Sequence, residues 1–390
     1  MPNNSSNLLQ QLNNIVSLPS VSSANSDIDM SNSAVINYLA TQFEELGFSC
    51  EIISSPSLGG KNKFNLIATL GTGPGGLVLS GHTDTVPLDD ELWSVNPFAI
   101  TEKDNRLYGL GSTDMKGFFP IIMEAVRTLK DAHFKEPLIV LATADEETSM
   151  QGAQTLAQMG RPKARSAIIG EPTGLRPVRA HKGMMMESIR LLGQSGHSSD
   201  PALGNNAIDA MHLVMSDLIE FRKELKARYK NDLFEISYPT LNLGSIHGGD
   251  NPNRICGQCE LEFDIRLIPG MYIDEIRAEI RSRMLRLTEP LGIEFSLTPL
   301  FSGIPAFFAN ENSALLQSAE TLTGHKGISV GFGTEGPYLQ SLGIDTIILG
   351  PGNIDQAHQP DEYMSLDMVK PCIELLQKLI IQHCITGDTE

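Results

Sequence analysis

The chain has 390 residues, 41% hydrophobic and 19% charged, with a formal net charge of −18. That length favours two domains over one core, and the composition is that of a globular protein. So acidic a surface argues against nucleic acid or an anionic membrane as partner, no apolar stretch reaches membrane-spanning length, and five scattered cysteines make no disulfide framework.

No Lys or Arg precedes Lys61, so neither a secretory signal nor a transit peptide fits the start, and a cytoplasmic chain is expected. "NNSSNLLQQLNNIVSLPS" predicts a first helix. "NSAVINYLATQFEELGF" predicts a second, with Val35, Leu39, Phe43 and Leu46 on one face and Gly47 ending it. Short apolar runs follow, each closed by Gly or a polar cluster: "NLIATL", "GLVLSG", "PLIVLATA", "SAIIG" and "DTIILG". Helical stretches such as "FFPIIMEAVRTLK" and "TSMQGAQTLAQMG" lie between them. This predicts an α/β fold, a mixed sheet flanked by helices.

The middle of the chain reads differently. "MMESIRLLG", "PTLNLGSIHGG", "RICGQCELEFDIR" and "IEFSLTPL" alternate like half-buried strands, around helices at "AIDAMHLVMSDLIEFRKELKARY" and "YIDEIRAEIRSRMLRL". A smaller α+β domain over residues 184–297 would then be inserted between 1–183 and 298–390. Cys256 and Cys259 form a CxxC without a second pair nearby, so they read as apolar filler of a strand and not as a zinc ribbon.

The chemistry gathers at strand ends. "LVLSGHTDTVP" ends in His82 and Asp84, which share one side of an extended chain, so the carboxylate can orient the imidazole as it would beside a metal. "PLIVLATA" runs into Asp145-Glu146-Glu147, "SAIIG" into Glu171, and "DTIILGPGNIDQA" into His358. Asp114 sits in the glycine-bracketed "GLGSTDMKG". In open α/β sheets the functional crevice lies beyond the carboxyl ends of the strands. Two histidines and three carboxylates without a thiolate suit zinc, cobalt or manganese, and the count fits two ions sharing a carboxylate. Of Glu146 and Glu147, one can bind metal while the other serves as base.

Two glycine motifs point elsewhere. "GTGPGG" (71–76) lies between strands and reads as a hairpin turn. "GFGTEG" (331–336) precedes a short helix and leaves a weak nucleotide-binding alternative, while a G-x-S-x-G nucleophile elbow is absent.

"SGHTDTVP", "GLGSTDMKGF", "DEETS", "GEPTGLRPVRAHKG" and "AHQPDEY" together resemble the dinuclear metal amidohydrolases related to aminoacylase, succinyl-diaminopimelate desuccinylase and glutamate carboxypeptidase. The resemblance covers nearly the whole chain and implies a metallopeptidase-like catalytic domain with an inserted dimerisation domain. It implies that His82, Asp114 and Glu171 hold one or the other of two Zn2+ (or Co2+) ions with Asp114 as bridge. Glu147 and His358 complete the set, Glu146 is the general base, and Asp84 orients His82. It further implies a cis peptide bond after Asp84, a histidine on the tetrahedral oxyanion at His197, and a carboxylate-binding Arg266. Asn253 and Thr334 are further substrate-contact candidates, and Glu335 one for a cationic side chain. The implied activity is deacetylation of N2-acetyl-L-ornithine, as in arginine biosynthesis, by a homodimer. Acetylcitrulline, acetylmethionine and succinyl-diaminopimelate are the alternative substrates.

Overall fold

A computed structural model describes residues 3–57 and 59–386. The chain divides into two compact units. The first comprises Met1–Arg179, Ala309–Ile328 and Glu335–Glu390, and the second Ala180–Phe308 and Ser329–Thr334. The second unit contains all of 184–297 and extends it with 180–183, 298–308 and the short return segment 329–334.

The first unit is built on a mixed sheet. Its strands run in the order Ser49–Ser55, Lys63–Leu70, Leu138–Thr143, Leu77–His82, Ser166–Pro172 and Asp345–Gly350. The first two are antiparallel to their neighbours, and the remaining four are mutually parallel. Every residue of Leu77–His82, Leu138–Thr143 and Ser166–Pro172 is buried. That is why these segments read as continuous apolar runs: strands covered on both faces have no solvent side to mark. The expected helices form at Asn3–Val16, Ser33–Glu45, Phe118–Arg127 and Gln151–Gln158. Gly47 has φ +91°, as a helix-ending glycine requires.

One turn assignment is corrected. "GTGPGG" is no hairpin, because the strand Leu138–Thr143 lies between Lys63–Leu70 and Leu77–His82 and pairs with both. The glycine run instead threads past the start of that intervening strand. A Cβ on Gly76, whose φ is +89°, would stand 2.1 Å from the carbonyl oxygen of Pro137. A small sheet of Thr101–Lys103, Arg106–Tyr108 and Tyr363–Ser365 was not anticipated, since runs of three residues carry no readable period.

Register sets the functional edge. His82 pairs with Thr143, Ser80 with Ile169, and Gly350 with Pro172. The carboxyl ends of the four parallel strands therefore finish level. Close approach there depends on glycine, since a Cβ on Gly350 would lie 2.1 Å from the carbonyl oxygen of Gly170.

The second unit is a four-stranded antiparallel sheet ordered Thr240–Gly248, Gln258–Leu267, Gly183–Leu192 and Glu294–Pro299. Helices Ala207–Arg228 and Ile273–Thr288 complete its core. Burial alternates strictly along Gln258–Leu267, and Cys259 is one of its inward fillers at 1% exposure. Arg283 clasps the two helices through Asp217 and Glu224 while lying over the ring of Phe221. Among the described residues no helix is long and apolar enough to cross a membrane.

Gly350→Ala should part the two strands that carry Glu171 and lead to His358. A loss of about 3 kcal/mol or more in urea unfolding is expected; an unchanged midpoint would show that the register tolerates a methyl group.

Candidate metal centre and active site

The strand ends bring their side chains together within the first unit. His82 Nε2 lies 3.0 Å from Asp114 Oδ1 and 3.9 Å from Glu171 Oε1. His358 Nε2 lies 3.0 Å from Glu147 Oε2 and 3.6 Å from Asp114 Oδ2. Asp114 thus reaches one histidine with each of its oxygens. One ligand atom each from His82, Asp114 and Glu147 fall within 4.8 Å of one another. Among the described residues, Glu147 Oε1 and Glu171 Oε1 are buried oxygens with no hydrogen-bond partner. Buried carboxylate oxygens seldom remain so. A donor set of imidazoles and carboxylates with unspent oxygens fits divalent metal.

Electrostatics gives the same account. Burial drives Glu146 and Glu171 well above the usual carboxylate range; His82 opposes this, and neighbouring carboxylates add to it. Glu147 is raised by burial and by Asp114. Burial disfavours the charged form of His82, yet Asp114 and the charges of Glu171, Glu146 and Asp84 hold its proton affinity well above normal. His358 is pushed up to about 9, chiefly by its bond to Glu147. The site is short of positive charge, which bound dications would supply.

The loops are held by buried carboxylates. Glu362 accepts hydrogen bonds from the amides of Gly111 at 2.9 Å, Thr113 at 2.7 Å and Asp114 at 3.0 Å, which fixes the Asp114 loop. Glu362 stands four residues after His358 in "AHQPDEY", where no local pattern sets it apart from a surface acid. Asp84 also differs from expectation. His82 Nδ1 bonds the backbone carbonyl of Asp84 at 3.0 Å, while the carboxylate is 3.7 Å away. That carboxylate accepts the amides of Glu146 at 3.3 Å and Glu147 at 3.0 Å. Asp84 therefore ties the histidine strand to the glutamate turn.

The cis peptide bond lies at Asp114–Met115 and not after Asp84. Thr85 donates to Ser20 and accepts from Ser22 in a parallel bridge with Val21. Glu335 is 1% exposed, with Thr143 and Ser80 against a carboxyl that burial lifts to about 7. A closed, readily neutralised acid is a poor receptor for a cationic side chain.

His197, Asn253, Arg266 and Thr334 belong to the second unit. His197 is exposed, and its Nδ1 accepts the Ser199 amide at 3.2 Å, so Nε2 carries the proton. Asn253 is on the same surface, its carbonyl accepting from Ser198 at 3.1 Å. Arg266 is half-buried and bonds Asp264 through Nε at 3.1 Å. Thr334 is fully buried and donates its amide to His181 Nε2 at 3.2 Å. His181 in turn donates from Nδ1 to the carbonyl of Lys182 at 2.9 Å and stacks on Phe307.

A cluster of histidine and carboxylate ligands at the carboxyl edge of a parallel α/β region, with an extra glutamate beside a ligand, defines a metal-dependent hydrolase site. The pattern of peptidase family M20/M25/M40 matches residues 78–382, and the chain belongs to that family. It is 46% identical over 370 residues to the acetylornithine deacetylases of Salmonella arizonae and Salmonella paratyphi B, covering 95% of this chain and 96% of each relative. A tripeptidase of Staphylococcus aureus superposes with a TM-score of 0.73 at 21% identity, over 96% of this chain and 97% of that one. An M20 metallo-carboxypeptidase of Sulfolobus solfataricus gives 0.72 at 20% identity, over 97% and 99%. A dinuclear metal-binding peptidase of Bacillus subtilis gives 0.68 at 14%, over 97% and 98%. The chain is a hydrolase of that fold.

Burial lowers the proton affinity of His181 to about 4. In the unfolded chain its pKa is ~6.5, so between these values the unfolded state binds the proton more tightly. Stability from this group is complete above ~6.5 and falls as the pH drops toward 4, by about 3 kcal/mol at the limit. Urea unfolding at pH 7 and pH 4.5 should show a smaller difference for His181→Gln than for the wild type.

Proposed function

We propose that the chain hydrolyses N2-acetyl-L-ornithine to L-ornithine and acetate, a step of arginine biosynthesis, with Glu146 as general base. The observation that carries the hydrolytic reading is the Glu146–Glu147 turn. Both amides bond one carboxylate, that of Asp84, while only Glu147 contacts His358. A protein that merely held metal would gain nothing from an additional half-buried acid beside the ligand set. The deacetylases at 46% identity support the substrate.

In this reading His82, Asp114 and Glu171 would hold one ion, and Asp114, Glu147 and His358 the other, zinc first and cobalt second. Bound in pairs, such ions lower the pKa of water and polarise an acyl carbonyl. Glu146 takes the proton from the attacking water and returns it to the leaving amine. Proton on Nε2, His197 is set to donate to the oxyanion of the tetrahedral intermediate. Arg266, engaged through Nε, offers its terminal nitrogens to the substrate carboxylate, with Asn253 and Thr334 as further contacts.

We place the enzyme in the cytoplasm, where free thiols persist, since all five cysteines are unpaired. We assign homodimerisation to the second unit. Its edge strand Thr240–Gly248 is largely open, with Ile246 49% exposed, and exposed edges favour pairing.

Purified protein should deacetylate N2-acetylornithine with a higher kcat/KM than acetylmethionine or succinyl-diaminopimelate; a preference for either competitor would refute the substrate. Chelation should abolish turnover and zinc or cobalt restore it. Glu146→Ala should lower kcat by about 100-fold or more while bound metal stays at wild-type content. Retained activity would remove the base assignment.

A further inference from the structure

The turn that carries the base has a second anchor, on the side away from Asp84. Asp145 precedes Glu146 and has φ +56°, a left-handed conformation that residues other than glycine seldom adopt. Its carbonyl accepts the amides of Ser149 at 3.0 Å and Met150 at 2.7 Å. Its Oδ1 accepts from Lys63 Nζ at 2.8 Å and from Ser22 Oγ at 2.8 Å. Lys63 is fully buried, and its ammonium also reaches Asp29 Oδ1 at 2.7 Å. Asp145 and Asp29 are 2% and 4% exposed, so no solvent route replaces the ammonium if it is lost.

We propose that Lys63 is a positioning residue of the active site: through Asp145 it sets where Glu146 and Glu147 point. This rests on Glu146 being the base and Glu147 a metal ligand. Residue 145 is gripped at both its side chain and its carbonyl, and the next two residues are gripped by Asp84. The carboxylates of Glu146 and Glu147 thus emerge from a turn with no free torsion at its root. Loss of the Lys63 ammonium leaves a buried Asp145 carboxylate with one hydroxyl for company, and such a group rotates toward another donor. That rotation swings the turn. A displacement of about 1 Å at a catalytic carboxylate costs on the order of 100-fold in rate.

The test uses the full chain freed of metal. Zinc is titrated by calorimetry into wild type, Lys63→Met and Asp29→Asn, and kcat and KM are measured on the N-acyl amino acid that the wild type turns over fastest. Lys63→Met should lose about 10–100-fold in kcat with KM within about twofold, and one of its two zinc sites should weaken by about tenfold or more while the other holds. Asp29→Asn changes the far side of the ammonium, where Asp29 also accepts from the Ser23 amide, and should keep kcat within about threefold, even where its unfolding midpoint drops. Unchanged kcat and zinc affinity in Lys63→Met overturn the proposal, as does an equal loss in Asp29→Asn, which would make the cluster a structural plug. Should Lys63→Met fail to fold, Ser22→Ala removes one bond to the same Asp145 oxygen: a kcat about threefold lower at constant KM supports the proposal, and an unchanged kcat overturns it. A wild type inactive on every N-acyl amino acid refutes the earlier functional reading, and the zinc titration then decides this one alone.

Discussion

Repulsion among buried carboxylates is the constraint around which the first unit is organised. Asp114, Glu146, Glu147 and Glu171 converge, and His82 and His358 stand against them among the described residues. Two unit charges about 4 Å apart repel by several kcal/mol at protein-like screening. A fold relying on burial alone would neutralise such acids or turn them outward. Here parallel strands in level register force them together, and close-approaching glycines such as Gly350 let the strands sit near enough to do so. Opposing charge from bound dications is the physical answer to that crowding.

Holding the acids in place falls to a second layer of charged groups. The loops that bear Asp114 and the Glu146–Glu147 pair are each fastened by a carboxylate from elsewhere in the chain. Glu362 fastens the Asp114 loop from 248–251 residues away in sequence, and Asp84 fastens the glutamates from 62–63 residues away. These clamps bond amides, not side chains, so they fix the backbone and leave the ligating oxygens unspent.

The first layer could be read from the sequence because strand ends are marked there. An apolar run that stops at His, Asp or Glu is a local signal, and His82, Glu146, Glu147, Glu171 and His358 all carry it. The two-unit organisation was legible for a similar reason, since strands with one solvated face alternate and those with none do not. The clamps were not legible. Lys63, Asp145 and Glu362 are charged residues that any local reading assigns to the surface, and their burial follows from partners far away in the chain. Order within the sheet was hidden for the same reason. The placement of Leu138–Thr143 between two earlier strands is a long-range event, and it turned an apparent hairpin into a crossing segment. Asp84 shows the limit most sharply: its spacing from His82 indicated an oriented imidazole, but its carboxylate serves the backbone of another loop.

The candidate residues fall unequally between the two units. The whole histidine-and-carboxylate set, with its clamps, lies in the first unit. His197, Asn253, Arg266 and Thr334 lie in the second. The metal set is bound by mutual repulsion and by buried clamps, so a change at one member disturbs all the others. Within the second unit, Ser199 bonds His197, Asp264 bonds Arg266 and His181 bonds Thr334. Solved structures at 14–21% identity share this fold and include a tripeptidase and a carboxypeptidase. A shared fold does not fix the substrate, while the charge balance of the ligand set is carried by residues of the first unit itself.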